Sequence, residues 1–280
     1  MSTSLVKKIQ RITALLGPLI LLLGACVLTP VNEVPGTGRR KISVITWNIR
    51  FDTPDTPSET LEAKLTHIRE AGADIVLVQE VLTIEDKVVR EPARFRRLLQ
   101  EEAEEYGMIT AEGASKTGGS NVILYDRERF VPIDQGIRWL SSTPEVPDST
   151  SYGNTIARNF VWAVLYDNNR KRLFTTVTTH LSPESAEANE RSAEQLIEFS
   201  SDIDGIKIIG GDFNSQRGST PYQTMINVYH DAVDAGATLA TMPVQLDYIF
   251  TSPGVLVSDG MVIHAEGLSD HRPVFCAVDW

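Results

Sequence analysis

Strand-like apolar runs that lead directly into polar side chains are the feature that most constrains the fold of this 280-residue chain. Three of the polar strings lie in the last third: Gly-Gly-Asp212-Phe-Asn214, Leu-Asp247-Tyr and Ser-Asp270-His271. In an α/β sheet, residues that leave the strand ends converge at one edge, where ligands bind. Carboxylate oxygens suit hard divalent cations, and a histidine beside an aspartate is the usual oriented base. These strings therefore predict one acidic pocket that is suited to a metal ion.

The first two thirds of the chain supply three matching strand ends. The strand-like segments are 42–47, 74–79 and 173–179, and the residues that follow them are Asn48, Glu80 and His180. Their apolar and β-branched composition is typical of strands. Six strand ends thus deliver amide, carboxylate and imidazole groups to the predicted pocket.

Segments with helical spacing of apolar residues separate the strands. The expected helices are 60–71, which Gly72 ends, then 92–106 and 184–199, with a further helix start at 219–221. Additional strands are expected at about 120–125, 130–139 and 160–166. This order predicts an α/β fold in which two sheets pack face to face with helices outside. The polar stretch 140–154 is interpreted as a loop of one domain, because candidate site residues lie on both sides of it.

The first 25 residues have the organisation of an export signal. A basic segment is followed by the apolar run 12–23, which is too short to span a bilayer comfortably, and by Leu23-Gly-Ala-Cys26, which resembles a bacterial lipobox. We expect residues 1–25 to be a lipoprotein signal peptide, Cys26 to carry the lipid, 26–40 to be a tether and 41–280 to be the folded domain. Val27 favours the outer membrane, facing the periplasm. A plain cleaved signal peptide and an uncleaved membrane anchor are the alternatives.

Cysteine content and net charge limit the classes of site and partner. With Cys26 lipidated, Cys276 has no partner for a disulfide, and its place in the apolar run 274–278 predicts a buried core residue. No second cysteine or histidine lies near it at the spacing of a zinc site. The whole chain carries a net charge of −11, and removal of three basic residues with the signal peptide brings it to −14. Binding long DNA normally needs a basic face, which such a charge disfavours.

Six strings, taken together and in order, resemble the endonuclease/exonuclease/phosphatase superfamily, which includes deoxyribonuclease I. The strings are Thr-Trp-Asn48-Ile-Arg50, Val-Gln-Glu80-Val, Thr-Thr-His180-Leu, Gly-Asp212-Phe-Asn214, Leu-Asp247-Tyr-Ile-Phe and Ser-Asp270-His271-Arg-Pro. They span roughly residues 41–280. The resemblance implies a four-layered α/β sandwich with two packed mixed β-sheets flanked by helices. It also implies metal-dependent hydrolysis of a phosphoester.

The resemblance gives the metal-side residues their expected roles. Glu80 is expected to be the principal ligand of Mg²⁺, with Mn²⁺ as a possible replacement, and Asn48 to position the metal or the phosphate. Asp270 would add a second carboxylate on the metal side. A helix-start carboxylate is the plain structural alternative for Glu80.

The remaining candidates serve the acid–base chemistry. Asp212 is expected to activate or orient water, while Asn214 donates a hydrogen bond to a phosphoryl oxygen, although Asp and Asn are also common turn residues. Asp247 is expected to fix the tautomer of His271 and raise its pKa. Following the resemblance, His180 is expected on the leaving-group side.

Two arginines are candidates for binding the substrate phosphate, because a guanidinium matches phosphate oxygens bidentately. Arg50 belongs to the Asn-Ile-Arg string. Arg158 rests only on its position in a polar loop ahead of a strand, so a surface salt bridge is an equal alternative. The apurinic endonuclease branch of the superfamily has an aspartate where this chain has Arg50, so the substrate stays open.

The sequence therefore predicts a monomeric, lipid-anchored phosphoesterase of the cell envelope that depends on a divalent metal. A short nucleic acid, a lipid headgroup or a sugar phosphate are the candidate substrates. A non-catalytic ligand-binding lipoprotein with the same fold is the alternative, which the presence of both histidines and all the carboxylates disfavours.

Overall fold

The computed structural model describes residues 41–50, 58–81, 83–85, 88–90, 93–110, 121–234, 236–265 and 267–280. All of them belong to one compact unit, Arg39–Trp280. The expected signal peptide, the lipidation site Cys26 and the tether 26–40 lie outside the described residues, so they stay predictions. Within the described part of the chain, no helix is long and apolar enough to cross a membrane.

Fourteen strands and four helices are found among the described residues. The strands are β1 (Ile42–Asn48), β2 (Ile75–Gln79), β3 (Thr83–Glu85), β4 (Val88–Arg90), β5 (Tyr106–Thr110), β6 (Val122–Asp126), β7 (Phe130–Trp139), β8 (Asn159–Asp167), β9 (Arg172–His180), β10 (Ile206–Asp212), β11 (His230–Asp231), β12 (Asp247–Thr251), β13 (Leu256–Val262) and β14 (Val274–Asp279). The helices are α1 (Ser58–Ala71), α2 (Ala93–Glu102), α3 (Ala186–Ser201) and α4 (Thr220–Ile226).

Twelve of these strands form two mixed six-stranded sheets. Sheet 1 has the order β13-β14-β1-β2-β6-β5, and sheet 2 has the order β11-β12-β10-β9-β8-β7. The pairs β1–β2 and β9–β10 are parallel, and the other pairs in both sheets are antiparallel. The predicted α/β sandwich of two mixed sheets with flanking helices is confirmed.

Two-residue alternation in β1 explains why the sheets stack in layers. Val44 packs into the core between the sheets, whereas Ile45 and Trp47 pack on the opposite face with residues of α1 and α2. On the outer face of sheet 2, Phe199 of α3 lies 4.9 Å from the ring of Phe160 in β8. Because both faces of the central strands are buried, these strands read as almost continuous apolar runs.

The parallel pairs determine where the site forms. Asn48 at the end of β1 is opposite Gln79 at the end of β2, and Asp212 at the end of β10 is opposite His180 at the end of β9. The antiparallel strand β12 begins at the same edge, which places Asp247 opposite Asp212. Strand ends from both sheets therefore meet at one edge of the sandwich, as the sequence predicts.

Gly210 and Gly211 serve the packing of the sheets. Both lie within β10, and a Cβ on Gly211 would fall 2.1 Å from the carbonyl oxygen of Thr179 in the neighbouring strand. A Cβ on Gly210 would fall 2.6 Å from a methyl group of Leu77 in the facing sheet. These glycines let sheet 1 and the neighbouring strand approach the backbone that carries Asp212.

The expected helix 92–106 is wrong in length. Helix α2 ends at Glu102, and Tyr106 begins β5, where its hydroxyl donates to the carbonyl of Ala73. Acidic side chains near a helix C-terminus oppose the helix dipole, so the run 101–105 does not support further helical turns. Gly72 ends α1 as predicted, with φ +60, and Cys276 is fully buried as predicted.

Candidate active site

One buried carboxylate oxygen lies at the centre of the strand-end cluster. Asp212 Oδ2 accepts a hydrogen bond of 3.0 Å from Asn48 Nδ2. The same oxygen lies 3.5 Å from His180 Nε2 and 3.7 Å from His271 Nε2. The structure thus brings two histidines and an amide around Asp212 from three different places: the ends of β1 and β9 and the segment before β14.

The amide of Asn48 joins this centre to Glu80. Its Nδ2 also donates to Glu80 Oε1 at 3.0 Å, and its Oδ1 accepts from the backbone N–H of Arg50 at 2.9 Å. Because the oxygen is occupied by a donor, the amide nitrogen must face the two carboxylates. Asn48 therefore holds Glu80 and Asp212 at a fixed separation.

His271 and Asp247 form the expected pair. Nδ1 of the imidazole lies 2.9 Å from Asp247 Oδ2, and both residues are buried. The hydroxyl of Thr238 accepts from the backbone N–H groups of Leu246 and Asp247, which orders the start of β12. The turn at Asp247 is thus held through its backbone, and the carboxylate is left to orient the imidazole.

His180 is oriented by the residue that follows the Asp212 strand. Asn214 Nδ2 lies 3.0 Å from His180 Nε2 and 3.1 Å from the carbonyl of Leu181, while its backbone N–H donates to Asp212 Oδ1. The amide donates, so Nε2 of His180 accepts and the ring proton is on Nδ1. That Nδ1 lies 3.9 Å from Glu80 Oε1.

Burial and neighbouring charges give the two histidines opposite protonation states. Burial alone would lower the pKa of His271, but the bond to Asp247 and the nearby carboxylate charges outweigh it and raise that pKa to about 10. Burial lowers the pKa of His180 well below its usual 6.5, and the charges of Arg158 and His271 add to the effect. Burial, followed by the charge of Asp247, raises the pKa of Asp212 to about 7. At neutral pH one histidine is cationic, the other is neutral, and Asp212 is poised to exchange a proton.

Three of the candidate residues have left-handed backbone conformations at the ends of their strands. The φ angles are 54° at Arg50, 60° at Glu80 and 45° at Asn214. Such conformations cost roughly 1–3 kcal/mol for residues other than glycine, and they persist where the surrounding structure imposes them. The strain indicates that the side chains are aimed by the fold.

The donor set at this edge fits a hard divalent cation. Asp212, Asp247 and His271 have ligand atoms within 4.8 Å of one another and form a group that could hold a metal ion. Glu80 and Asp212 add carboxylate oxygens that converge on the amide of Asn48. A bound cation would favour the ionised form of Asp212 and so lower its pKa.

Asp270, the third residue of the predicted metal set, lies nearer the rim. Its side chain is 42% exposed, and Oδ2 lies 4.0 Å from Nε of Arg50. The side chain of Arg50 is itself 63% exposed. Both residues are thus at the mouth of the site, where an incoming substrate can reach them.

Arg158 lies inside, so the alternative of a surface salt bridge is wrong. The residue is only 8% exposed, and its Nε has no hydrogen-bond partner among the described residues. Burial lowers the pKa of this guanidinium, while the charges of Glu80 and Asp212 act against that effect. An unsatisfied buried donor beside two carboxylates is suited to an anionic ligand.

Sequence reasoning missed the residues that hold the site residues in place. Ser269 Oγ donates to the carbonyl of Asn48 and accepts from the N–H of His271, which joins the ends of β1 and the segment before β14. Gln79 Nε2 donates to hydroxyls of Thr46 and Thr178, which lie in different sheets. Ser269 and Gln79 stand inside the matched strings, which was the available signal.

Comparison with protein families decides which group this site belongs to. The model of the Endonuclease/Exonuclease/phosphatase family matches residues 45–271, most of the chain. The chain belongs to this family. The match begins in β1 and ends at His271, so it includes every described candidate residue of the site. No curated protein sequence matches the chain significantly.

Solved structures with a similar fold include a protein of the same family. An endonuclease/exonuclease/phosphatase from Bacteroides vulgatus is 22% identical with a TM-score of 0.75, covering 85% of this chain and 98% of that one. A mannosyl-6-phosphatase from Bacteroides thetaiotaomicron is 19% identical with a TM-score of 0.70, covering 85% and 100%. The D. rerio TDP2 complexed with single strand DNA product is 18% identical with a TM-score of 0.62, covering 86% and 99%. At these identities the likeness establishes the fold.

Proposed function

We propose that the protein is a phosphoesterase that uses a divalent cation, Mg²⁺ or Mn²⁺, and water to hydrolyse a phosphomonoester or phosphodiester at the Asp212 edge. The observation that carries this proposal is the shared oxygen of Asp212. Asn48, His180 and His271 all contact it, although they belong to separate strand ends in two sheets. A purely structural polar cluster does not require two histidines in opposite protonation states around one carboxylate.

Each buried group has a task that its environment supports. Asp212 accepts the proton of the attacking water, because its carboxylate lies at the centre of the cluster, next to both histidines. Protonated His271, held by Asp247, donates Nε2–H to the phosphoryl oxygen that gains charge. Neutral His180 lies on the leaving-group side, where its ring orients the departing oxygen.

The metal side of the site comprises Glu80, Asn48 and Asp270. A cation held by these residues would supply Lewis-acid polarisation of a non-bridging oxygen and neutralise charge on the leaving group. Arg50 at the mouth and Arg158 inside bind the remaining phosphate oxygens. Asn214 does not donate to the phosphoryl group as the sequence predicted, because its two amide hydrogens are used on His180 and on the carbonyl of Leu181. The group of Asp212, Asp247 and His271 would not hold the cation in this arrangement, because a protonated imidazole has no lone pair for a metal.

The candidate substrates are small phosphoesters. A relative is named as a mannosyl-6-phosphatase, and another is named as a complex with a single strand DNA product. These names support a sugar phosphate or a short nucleic acid, and a lipid headgroup phosphate stays a candidate. The net charge of −14 without the signal peptide opposes the binding of long DNA.

We also propose that the protein is a monomer anchored in the bacterial cell envelope, most simply in the outer membrane facing the periplasm. The order of basic residues, apolar run and lipobox ending at Cys26 supports this. Mass spectrometry of the N-terminal peptide should find a diacylglyceryl group on Cys26. An unmodified peptide that runs through residues 20–30 would contradict the anchoring.

The enzymatic proposal is tested with full-length protein purified in mild detergent. Hydrolysis of bis(p-nitrophenyl) phosphate and p-nitrophenyl phosphate is measured after EDTA treatment and after addition of Mg²⁺ or Mn²⁺. We expect turnover that requires the added cation. Equal rates with EDTA and with either cation would refute the metal requirement, and no turnover of either ester would favour a ligand-binding lipoprotein.

A further inference from the structure

One exposed carboxylate fastens the loop beside the site to the segment that follows β9. The β7–β8 loop, residues 140–158, ends one residue before β8. Glu184 accepts hydrogen bonds from Thr155 N–H at 2.9 Å, from Thr155 Oγ1 at 2.5 Å and from Ile156 N–H at 3.1 Å. Glu184 itself is four residues after His180. A single side chain thus joins the end of the loop to the strand end that carries a site histidine.

The rest of the β7–β8 loop is attached farther from the site. Ser185 Oγ donates to the carbonyl of Tyr152 at 2.6 Å, and Gln195 Nε2 donates to the carbonyl of Ser141 at 2.5 Å. Of these three side chains, Glu184 bonds nearest to Arg158 along the chain, since Ile156 is only two residues away. The backbone carbonyl of Arg158 is held from the other side by the N–H of Leu140 at 2.8 Å.

The position of Arg158 is costly without such a tether. Its guanidinium is buried, and one donor nitrogen has no partner among the described residues. A long cationic side chain in this state gains hydration and rotamer freedom if the loop moves outward. The charges of Glu80 and Asp212 attract it inward, and the charge of Glu184 acts on it more weakly. The hydrogen bonds of Glu184 to Thr155 and Ile156 hold the backbone just before Arg158.

We propose that Glu184 is a positioning residue for substrate phosphate: by holding Thr155 and Ile156, it keeps the Arg158 guanidinium directed into the site. This inference rests on the proposed function, which assigns Arg158 to binding the substrate phosphate. Glu184 is exposed, and its side-chain hydrogen bonds go to Thr155 and Ile156. The residues that move protons, Asp212 and His271, are fixed by strands and not by the loop. Loss of Glu184 should therefore weaken phosphate binding and leave the chemical step intact.

The test combines four variants of the full-length protein with a charge-matched control. The variants are Glu184→Ala, Glu184→Gln, Arg158→Ala and the Glu184→Ala/Arg158→Ala double variant, and the control is Glu187→Ala. Glu187 is exposed in the first turn of α3, three residues from Glu184. KM and kcat are measured with p-nitrophenyl phosphate, and the affinity for inorganic phosphate is measured by calorimetry, which needs no turnover.

We expect Glu184→Ala to weaken phosphate affinity about tenfold and to raise KM about tenfold, because two or three hydrogen bonds of modest net strength are lost. The value of kcat should change less than about twofold. Glu184→Gln keeps an acceptor and should stay within about threefold of the wild type. In the Arg158→Ala background, Glu184→Ala should have no further effect on phosphate affinity. Glu187→Ala should behave as the wild type.

Additive losses in the double variant, or a fall in kcat with unchanged phosphate affinity, would overturn the positioning role. A Glu184→Gln variant as weak as Glu184→Ala would show that charge matters and the tether does not. Failure of the proposed function is distinguishable: wild-type protein would then bind phosphate with this pattern of variants but hydrolyse no ester. Wild-type protein that binds no phosphate would refute both.

Discussion

Removing either partner of the His271–Asp247 pair should disable the same step. The Nδ1–Oδ2 distance is 2.9 Å and both side chains are buried, so the hydrogen bond is charge-assisted and little screened. Such a bond contributes roughly 1.5–3 kcal/mol, and at about 1.4 kcal/mol for each factor of ten this gives a loss of about 10- to 150-fold in kcat for Asp247→Asn. His271→Ala should cost about two to four orders of magnitude, the range for a positioned acid–base group.

The double variant separates an acting pair from two independent contributions. If Asp247 works only through His271, Asp247→Asn should cost less than about threefold in the His271→Ala background. Rate constants for the wild type, both single variants and the double variant are measured at one pH with saturating Mg²⁺. Losses that add would refute the pairing.

A matched control tests whether Asp247 merely orders the turn. Thr238→Val removes the hydroxyl that accepts from the N–H groups of Leu246 and Asp247, so it should lower the melting temperature by several degrees. Asp247→Asn keeps those backbone bonds and should lower the rate more than the melting temperature. If Asp247→Asn and Thr238→Val lowered the rate and the melting temperature by the same amounts, the carboxylate of Asp247 would have a structural role.

Two further predictions concern the cation and the opposite end of the sandwich. Glu80→Gln keeps the size of the side chain but removes the charge that attracts a hard cation. The Mg²⁺ concentration for half-maximal rate should therefore rise at least about tenfold, while the melting temperature changes little. An unchanged Mg²⁺ dependence would exclude Glu80 as a ligand. Arg129 lies buried between Asp74, at 3.0 Å, and Asp167, at 2.9 Å. Arg129→Met leaves Asp74 buried without its ion-pair partner, and leaves Asp167 only Arg170 Nε at 3.5 Å. Urea denaturation should therefore show a loss of about 3–5 kcal/mol, and kcat of the protein that stays folded should be unaffected. A smaller loss would mean that water or Arg170 compensates the two carboxylates.

The strands that carry the site could be predicted from the sequence because these strands are buried on both faces. Segments such as 75–79 are continuous apolar runs, so their ends, Asn48 and Glu80 among them, could be located residue by residue. The convergence of those ends followed from the general topology of α/β sheets. The interior position of Arg158 could not be predicted from the sequence, since it depends on contacts between a loop and the start of a distant helix.

Boundaries that depend on tertiary contacts were predicted less well. The start of β5 at Tyr106 is fixed by pairing with β6 and by a hydroxyl bond to Ala73, neither of which is visible in local periodicity. The same holds for Gly211, whose missing Cβ makes room for a neighbouring strand. Thr238 is a further case, because its role depends on a backbone segment eight residues away.

The central claim is that Asp212 is the proton-exchanging centre of a phosphoesterase, and the variant Asp212→Asn tests it most directly. The amide keeps the shape of the side chain and can still accept from Asn48 Nδ2, so the fold should survive. Turnover of bis(p-nitrophenyl) phosphate is measured for wild type and variant with saturating Mg²⁺, together with the melting temperature of each. We predict a rate lower by at least about two orders of magnitude at a melting temperature within a few degrees of the wild type. Equal turnover by wild type and variant would contradict the account.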